Sequence, residues 1–386
     1  MRKIKADSKI YLFQLMLLFG ICLFTVLQRG AVVSALFHIT FFGLLAGLGV
    51  QLLRRPWLNE LHIAAAVLII VAFFHVAMQT NSYALSYYNK LIIFACSVLM
   101  LPFLPALEVD GRQVDWVLRI NLCIAAIYPV MYILLPDRGY LGRFLTFHFT
   151  NPNLAGMFLT HSALYCAIAL SYYKGKVLRL LILALFLQLT YFIWLTGARS
   201  CFFALACFAV AVVLDFLCKK SIRISSWLSF VILASPFLFA LLYLAWEKSG
   251  LLEWMTSVLR VSEEKALTSR VKIWTDALTQ FKGSPLFGAY DKISKGSGMS
   301  QMHNTHIDVL VSYGLVPFGL FIFLLHKSVK RILAGVTEEF ALKGLFAFYA
   351  IIIMGTFEAA LVSGGVGLYI MSFGFLVLAK YTNHTC

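Results

Sequence analysis

Three polar clusters interrupt an otherwise apolar chain, and each carries a group with a definite chemistry. The run Met302-His303-Asn304-Thr305-His306-Ile307-Asp308 brings imidazoles, which accept protons near neutral pH and so can activate a hydroxyl nucleophile. Two histidines and an aspartate also raise a metal site, with His303 and His306 three apart on one helical face. The His-Glu-x-x-His zinc pattern is absent and no further histidine follows closely, so neither metal nor cofactor is expected. Arg199, in Thr196-Gly197-Ala198-Arg199-Ser200, offers a planar fork of donors suited to phosphate; a lone arginine between apolar runs also snorkels to lipid headgroups. Tyr191 and Trp194 before it suit an interfacial aromatic belt or a sugar-contacting wall. In the third cluster Arg138 and Arg143 precede Asn151-Pro152-Asn153, where Asn151 or Asn153 can cap a helix starting near Pro152 and the free amides of its first turn would face an anion. Capping alone also accounts for Asn and Pro there.

The elements that must position these groups are membrane spans. Of 386 residues, 61% are hydrophobic and 13% charged, and the mean hydropathy is +0.87. With 34 Phe, 17 Tyr and 7 Trp, the apolar side chains exceed what one water-bounded core could bury, which excludes a soluble globule. Unbroken runs such as 180–187 exclude an alternating β-barrel. Apolar stretches near 11–27, 31–52, 61–79, 90–107, 116–135, 153–171, 178–196, 201–217, 227–246, 305–325, 343–359 and 363–380 predict an all-α polytopic membrane helix bundle of about twelve spans, a single integral membrane domain over 1–386. The 178–217 stretch reads as a hairpin turning at 197–200.

In a soluble chain the net charge of +15 would suggest nucleic acid; here its placement sets orientation, and no nucleic-acid partner is expected. Arg2, Lys3, Lys5, Lys9, Arg54, Arg55, Arg112, Lys174, Lys176, Arg179, Lys219, Lys220, Arg223, Lys327, Lys330, Arg331, Lys343 and Lys380 fall in one alternating set of segments. The short loops of the other set hold Arg29, Lys90, Arg138, Arg143 and Arg199. Excess Lys and Arg mark the cytoplasmic side, so both termini are expected inside and residues 247–304, between the ninth and tenth spans, outside. Without an Ala-x-Ala-like site, the apolar run after Arg2-Lys3-Ile4-Lys5 reads as an uncleaved first helix. The eight cysteines show neither disulfide nor metal spacing and read as packing residues. Within 247–304, Val271, Trp274, Leu278 and Phe281 recur at helical spacing, with Thr268 or Ser269 as cap and Gly283 then Pro285 as terminators. This predicts an amphipathic helix on the outer bilayer surface or against the bundle.

In order and spacing, four of these segments resemble the O-antigen ligase and O-antigen polymerase superfamily. They are Asn151-Pro152-Asn153-Leu154-Ala155-Gly156; Thr196-Gly197-Ala198-Arg199-Ser200; Ser269-Arg270-Val271-Lys272-Ile273-Trp274 leading to Ser284-Pro285-Leu286-Phe287-Gly288; and His303-Asn304, then nine residues, then Gly314-Leu315-Val316-Pro317. The resemblance implies metal-independent transfer of a glycan from undecaprenyl diphosphate to a sugar hydroxyl, on the outer face of a bacterial inner membrane. It further implies that Arg199 and Arg270 neutralise the leaving diphosphate and that His303 orients or deprotonates the acceptor, with Arg143, Asn151, Asn153, Asn304 and Trp274 lining the substrates. The implied partners are the undecaprenyl-diphosphate-linked oligosaccharide, an acceptor glycan or lipid A-core, membrane lipids and a chain-length regulator. Pro317 and the modest outer loop depart from the ligase pattern and favour a repeat-unit polymerase over the lipid A-core ligase. A polysaccharide transporter or flippase is the rival of another class. It predicts an inverted repeat or ionisable residues at mid-membrane, whereas the charges in the spans lie near their ends: Asp115 with Arg119, Asp215 with Lys219, and Asp308 and Glu358.

Overall fold

The computed structural model describes residues 60–79, 91, 94, 95, 98, 100–102, 104–106, 109–134, 140–147, 149, 151–218, 224–248, 265–288, 302–336, 338–358 and 366–381. The expected spans at 11–27 and 31–52, Arg138, Cys22, Cys96, Cys386, parts 249–264 and 289–301 of the outer segment, and the side chain of Arg270 lie outside them. The described residues are mostly helical: α1 (Glu60–Gln79), α2 (Gly111–Leu134), α3 (Pro152–Tyr172), α4 (Lys176–Thr196), α5 (Arg199–Leu217), α6 (Ser226–Lys248), α7 (Lys265–Phe281), α8 (Thr305–Tyr313), α9 (Leu315–Leu333), α10 (Glu339–Met354) and α11 (Val366–Ala379). A two-stranded antiparallel ribbon, β1 (Tyr140–Leu141) with β2 (Phe144–Leu145), turns at Gly142-Arg143. Helices α2 to α6 are long and apolar enough to cross a membrane, which fits an all-α membrane bundle.

α3 is the central helix. Of its apolar window 78% is buried, against 22% for α4 and 28% for α5. Its sequence is apolar on every face and rich in Ala, Gly, Ser and Thr, the composition that lets helix backbones approach closely inside a bundle. It packs on α2, α4, α5, α10 and α11. α4, in contrast, turns Leu180, Leu181, Leu187, Tyr191 and Trp194 outward. Local chemistry sets the ends. Asp110 and Gln113 form a reciprocal capping box at the start of α2 (2.9 and 3.1 Å). Gly197, at φ 66°, closes α4 in the left-handed conformation and lets α5 begin two residues later, which makes the expected hairpin.

Two expectations are corrected. The stretch 305–325 is not one helix: α8 stops at Tyr313 and α9 restarts at Leu315, because Gly314 takes φ 93° and residues 284–288 dock into the break. The Leu315 amide donates to the Pro285 carbonyl (2.9 Å), and a Cβ on Gly288 would lie 2.6 Å from the Ser312 oxygen. The outer helix α7 starts at Lys265, so Thr268 and Ser269 lie inside it and do not cap it. α7 lies against the bundle, with Ile273, Trp274 and Ala277 buried with Tyr243 of α6 and Ile307 and Val311 of α8, and Lys272, Thr275, Asp276 and Thr279 outward.

Candidate functional site

The first turns of three helices meet at one end of the bundle. At the start of α3, Asn151 caps the helix by accepting from the Asn153 amide (2.8 Å), and Pro152 occupies its first position. One turn on, Gly156 lies so close to the first turn of α5 that an added Cβ would stand 2.6 Å from the Ala198 Cβ and 3.0 Å from Cys201 Sγ. Asn153 Nδ2 donates to Glu358 Oε1 (3.0 Å), and His303 Nδ1 lies 3.2 Å from Glu358 Oε2. Just beyond His303, Thr305 opens α8 and donates from Oγ1 to the Glu358 carbonyl (3.2 Å). The Asn-Pro-Asn, Gly-Ala-Arg-Ser and His-Asn segments, separated by up to 150 residues of chain, therefore share one site, with Glu358 at its centre.

Glu358 is the functional candidate that the motifs do not mark; in the sequence it stands only as a charge near a span end. Its side chain is 3% exposed, while that of His303 is 26% exposed. A carboxylate buried to this degree is tolerable only when paired and hydrogen-bonded. Here Asn153 and His303 supply the partners, and the first turns of α3 and α8 supply the positive ends of helix dipoles. Because a carboxylate only accepts, a neutral ring paired with it carries its proton on Nδ1 and its lone pair on Nε2. His303 holds φ 47°, a left-handed conformation that costs a non-glycine residue about 1 kcal/mol or more.

Arg199 is the first residue of α5 and is exposed. A cation there faces the positive end of its own helix dipole, an unfavourable placement that a bound anion would reverse. The ribbon covers this turn. The Phe144 ring lies against Gly197, where a Cβ would approach it to 2.5 Å, and the Arg143 guanidinium sits 5.0 Å over the same ring. Arg143 and Arg199 are thus brought to neighbouring turns beside the site. Arg270 lies in the second turn of α7.

Three residues expected to line the substrates are engaged in holding the protein's own backbone. Trp274 is 1% exposed and donates from its indole to the Met302 carbonyl (2.8 Å), so it anchors the residue before His303 and offers no face to a sugar. Asn304 is fully buried; its Oδ1 accepts from the His306 and Ile307 amides, and its Nδ2 donates to the carbonyls of Pro236 and Thr356. Asn151 spends its side chain on the α3 cap. His306, one turn into α8, is fully buried with its ring edge-on to Phe318 and Phe321, away from the surface that His303 reaches. Among the described residues no cluster of His, Cys, Asp or Glu has the arrangement of a metal site.

The arrangement can do two things: hold a partly exposed imidazole in one tautomer, and present arginines and helix N-termini to an anion. In comparisons with family models, curated proteins and solved structures, the chain matches none of them.

Proposed function

We propose that the protein transfers a glycan from a polyprenyl diphosphate carrier to an acceptor hydroxyl at the outer membrane face, and that it acts as a polysaccharide repeat-unit polymerase. The observation that carries this reading is the His303–Glu358 pair, set among three helix N-termini beside Arg199. In this reading the acceptor oxygen attacks the anomeric carbon as its proton passes to His303 Nε2. The bond from that carbon to the diphosphate oxygen breaks, and the electron pair leaves with the carrier diphosphate. Glu358 holds the tautomer and stabilises the imidazolium that forms, as the carboxylate does in a hydrolase triad. Arg199, Arg270 and the helix N-termini meet the charge that develops on the leaving group, the stage at which preorganised donors lower a barrier most.

The test is the glycan phenotype of cells lacking the protein, complemented with the unmodified chain or with His303→Ala. Loss of long chains with single repeats retained on the acceptor is expected, unrelieved by His303→Ala. The purified variant should lose about 10² to 10⁴ in rate, the range for removing a general base. Loss of every repeat from the lipid A-core, with polymer left on the lipid carrier, would make the protein a ligase. Full restoration by His303→Ala would remove the catalytic role.

A further inference from the structure

An N-cap needs only an acceptor: Ser, Thr or Asp at position 304 would satisfy the first amides of α8 as well as Asn does. What Asn adds is two donors, and both are used at a distance. Asn304 Nδ2 gives one hydrogen to the Pro236 carbonyl in the middle of α6 (2.8 Å) and the other to the Thr356 carbonyl (3.0 Å), two residues before Glu358. With the two amides held by Oδ1 (3.0 Å each), all four hydrogen-bonding positions of the side chain are filled, in full burial. The next residue repeats the link. The Thr305 amide donates to the Gly355 carbonyl (3.0 Å) and its hydroxyl to the Glu358 carbonyl (3.2 Å). Gly355 permits this approach, since a Cβ there would stand 3.0 Å from Thr305 Oγ1.

Residues 304–305 are thus bound to residues 355–358 by three hydrogen bonds, and the two side chains so held in register are those of His303 and Glu358. His303 itself sits in a left-handed conformation that only a firmly held neighbour maintains.

We propose that Asn304, assisted by Thr305, is a positioning residue that acts through His303: it fixes the His303–Glu358 register and touches no substrate. This rests on the functional reading above, and the experiment separates the two. Purified unmodified protein, His303→Ala, Asn304→Asp, Thr305→Val and the double variant His303→Ala/Asn304→Asp are assayed with the lipid-linked glycan extracted from cells lacking the protein. Asn304→Asp keeps the acceptors that cap α8 and loses the donors to Pro236 and Thr356. Its kcat should fall about 10- to 100-fold, the scale of an ångström-size misplacement of a catalytic group, with KM for the donor within about twofold. The double variant should be no slower than His303→Ala, because a residue that acts only through His303 has nothing left to position. Should Asn304→Asp fail to reach the membrane, Thr305→Val with its own double variant decides by the same criteria. Losses that multiply in the double variant would show a merely structural role and overturn the proposal, as would a fully active Asn304→Asp beside an impaired His303→Ala. A fully active His303→Ala, or no turnover by the unmodified protein, would overturn the functional reading and this proposal with it.

Discussion

A histidine is a useful base only if its proton is on the correct nitrogen, and Glu358 controls that through the Nδ1 contact at 3.2 Å. Its other oxygen is already occupied by the donor amide of Asn153, at 3.0 Å. This makes Glu358→Gln informative. The glutamine oxygen takes the Asn153 side and its NH₂ faces His303, so Nδ1 becomes the acceptor and Nε2 carries the proton. The ring stays in place in the wrong tautomer, a change that costs about 10⁴ in kcat in a serine-protease triad. A loss of about 10² to 10⁴ is expected for Glu358→Gln at unchanged membrane abundance, read as polymer formed per unit of protein, with a smaller loss for Glu358→Asp. Wild-type rates in Glu358→Gln would reduce the pair to a packing contact. His303, Arg199 and Asn153 were legible as candidates from residue type and neighbours alone. Glu358 was not, because nothing local distinguishes it from other charges at span ends and its partners are 55 and 205 residues away. Asn304 and Trp274 were legible as important and misread in direction: sequence shows a polar or aromatic group, but only packing shows that it points inward.

Apolar runs locate helices and say little about where a helix stops within a run. The positions of α1 to α6, α10 and α11 follow from uninterrupted hydrophobicity bounded by Pro, Gly or charge. The break between α8 and α9 lies within an apolar stretch, and it depends on residues 284–288 arriving from the outer segment. The signal was present in Gly314 followed by Pro317, a glycine stop and a proline in the first turn of the next helix. This clasp sets where α8 ends and so, through its nine residues, where His303 begins. Gly314 and Gly288 face each other at φ 93° and 84°, and a Cβ on Gly314 would collide with the Leu286 carbonyl. Gly314→Ala and Gly288→Ala should each cost about 1–3 kcal/mol from backbone conformation alone, with the clash in addition. Thermal unfolding in detergent should show a fall of several degrees in each variant. Gly319→Ala is the control: it lies in α9 with open space around its Cβ position, and gaining a helix-favouring residue should leave stability equal or higher by up to about 1 kcal/mol. Equal melting temperatures for all three variants would show that the clasp does not constrain the fold.

Among the described residues, the ion pairs gather toward two ends of the bundle. At one end Arg331 pairs with Glu60 (3.0 Å), Lys343 with Glu339 (2.9 Å) and Ser171 (2.7 Å), and Arg119 with Asp115 (2.7 Å). At the same end the Tyr172 hydroxyl donates to the Gly111 carbonyl, and Val109 bridges Tyr381. At the other end lie Asn153, Arg199, His303 and Glu358. Each of helices α2 to α5 runs from one end to the other, so the alternation expected from the basic segments is the alternation in which the helix ends meet. The more exposed of these pairs, Arg331–Glu60 and Arg119–Asp115, contribute little to stability. The basic excess around them would act in orientation, by the rule that retains Lys and Arg on the cytoplasmic side. Which end faces outward matters for the chemistry, since polyprenyl-linked glycans would reach the site only from the side on which they are displayed. Lys174 and Lys282 are exposed at opposite ends, the first in the turn between α3 and α4, the second just after α7. In whole cells treated with a membrane-impermeant maleimide, Lys282→Cys should label above the background of the unmodified protein. Lys174→Cys should label only after the membrane is permeabilised. The reverse pattern would place the His303 site on the cytoplasmic face, where a nucleotide-linked donor would be the available substrate; labelling of both in intact cells would contradict the alternation itself.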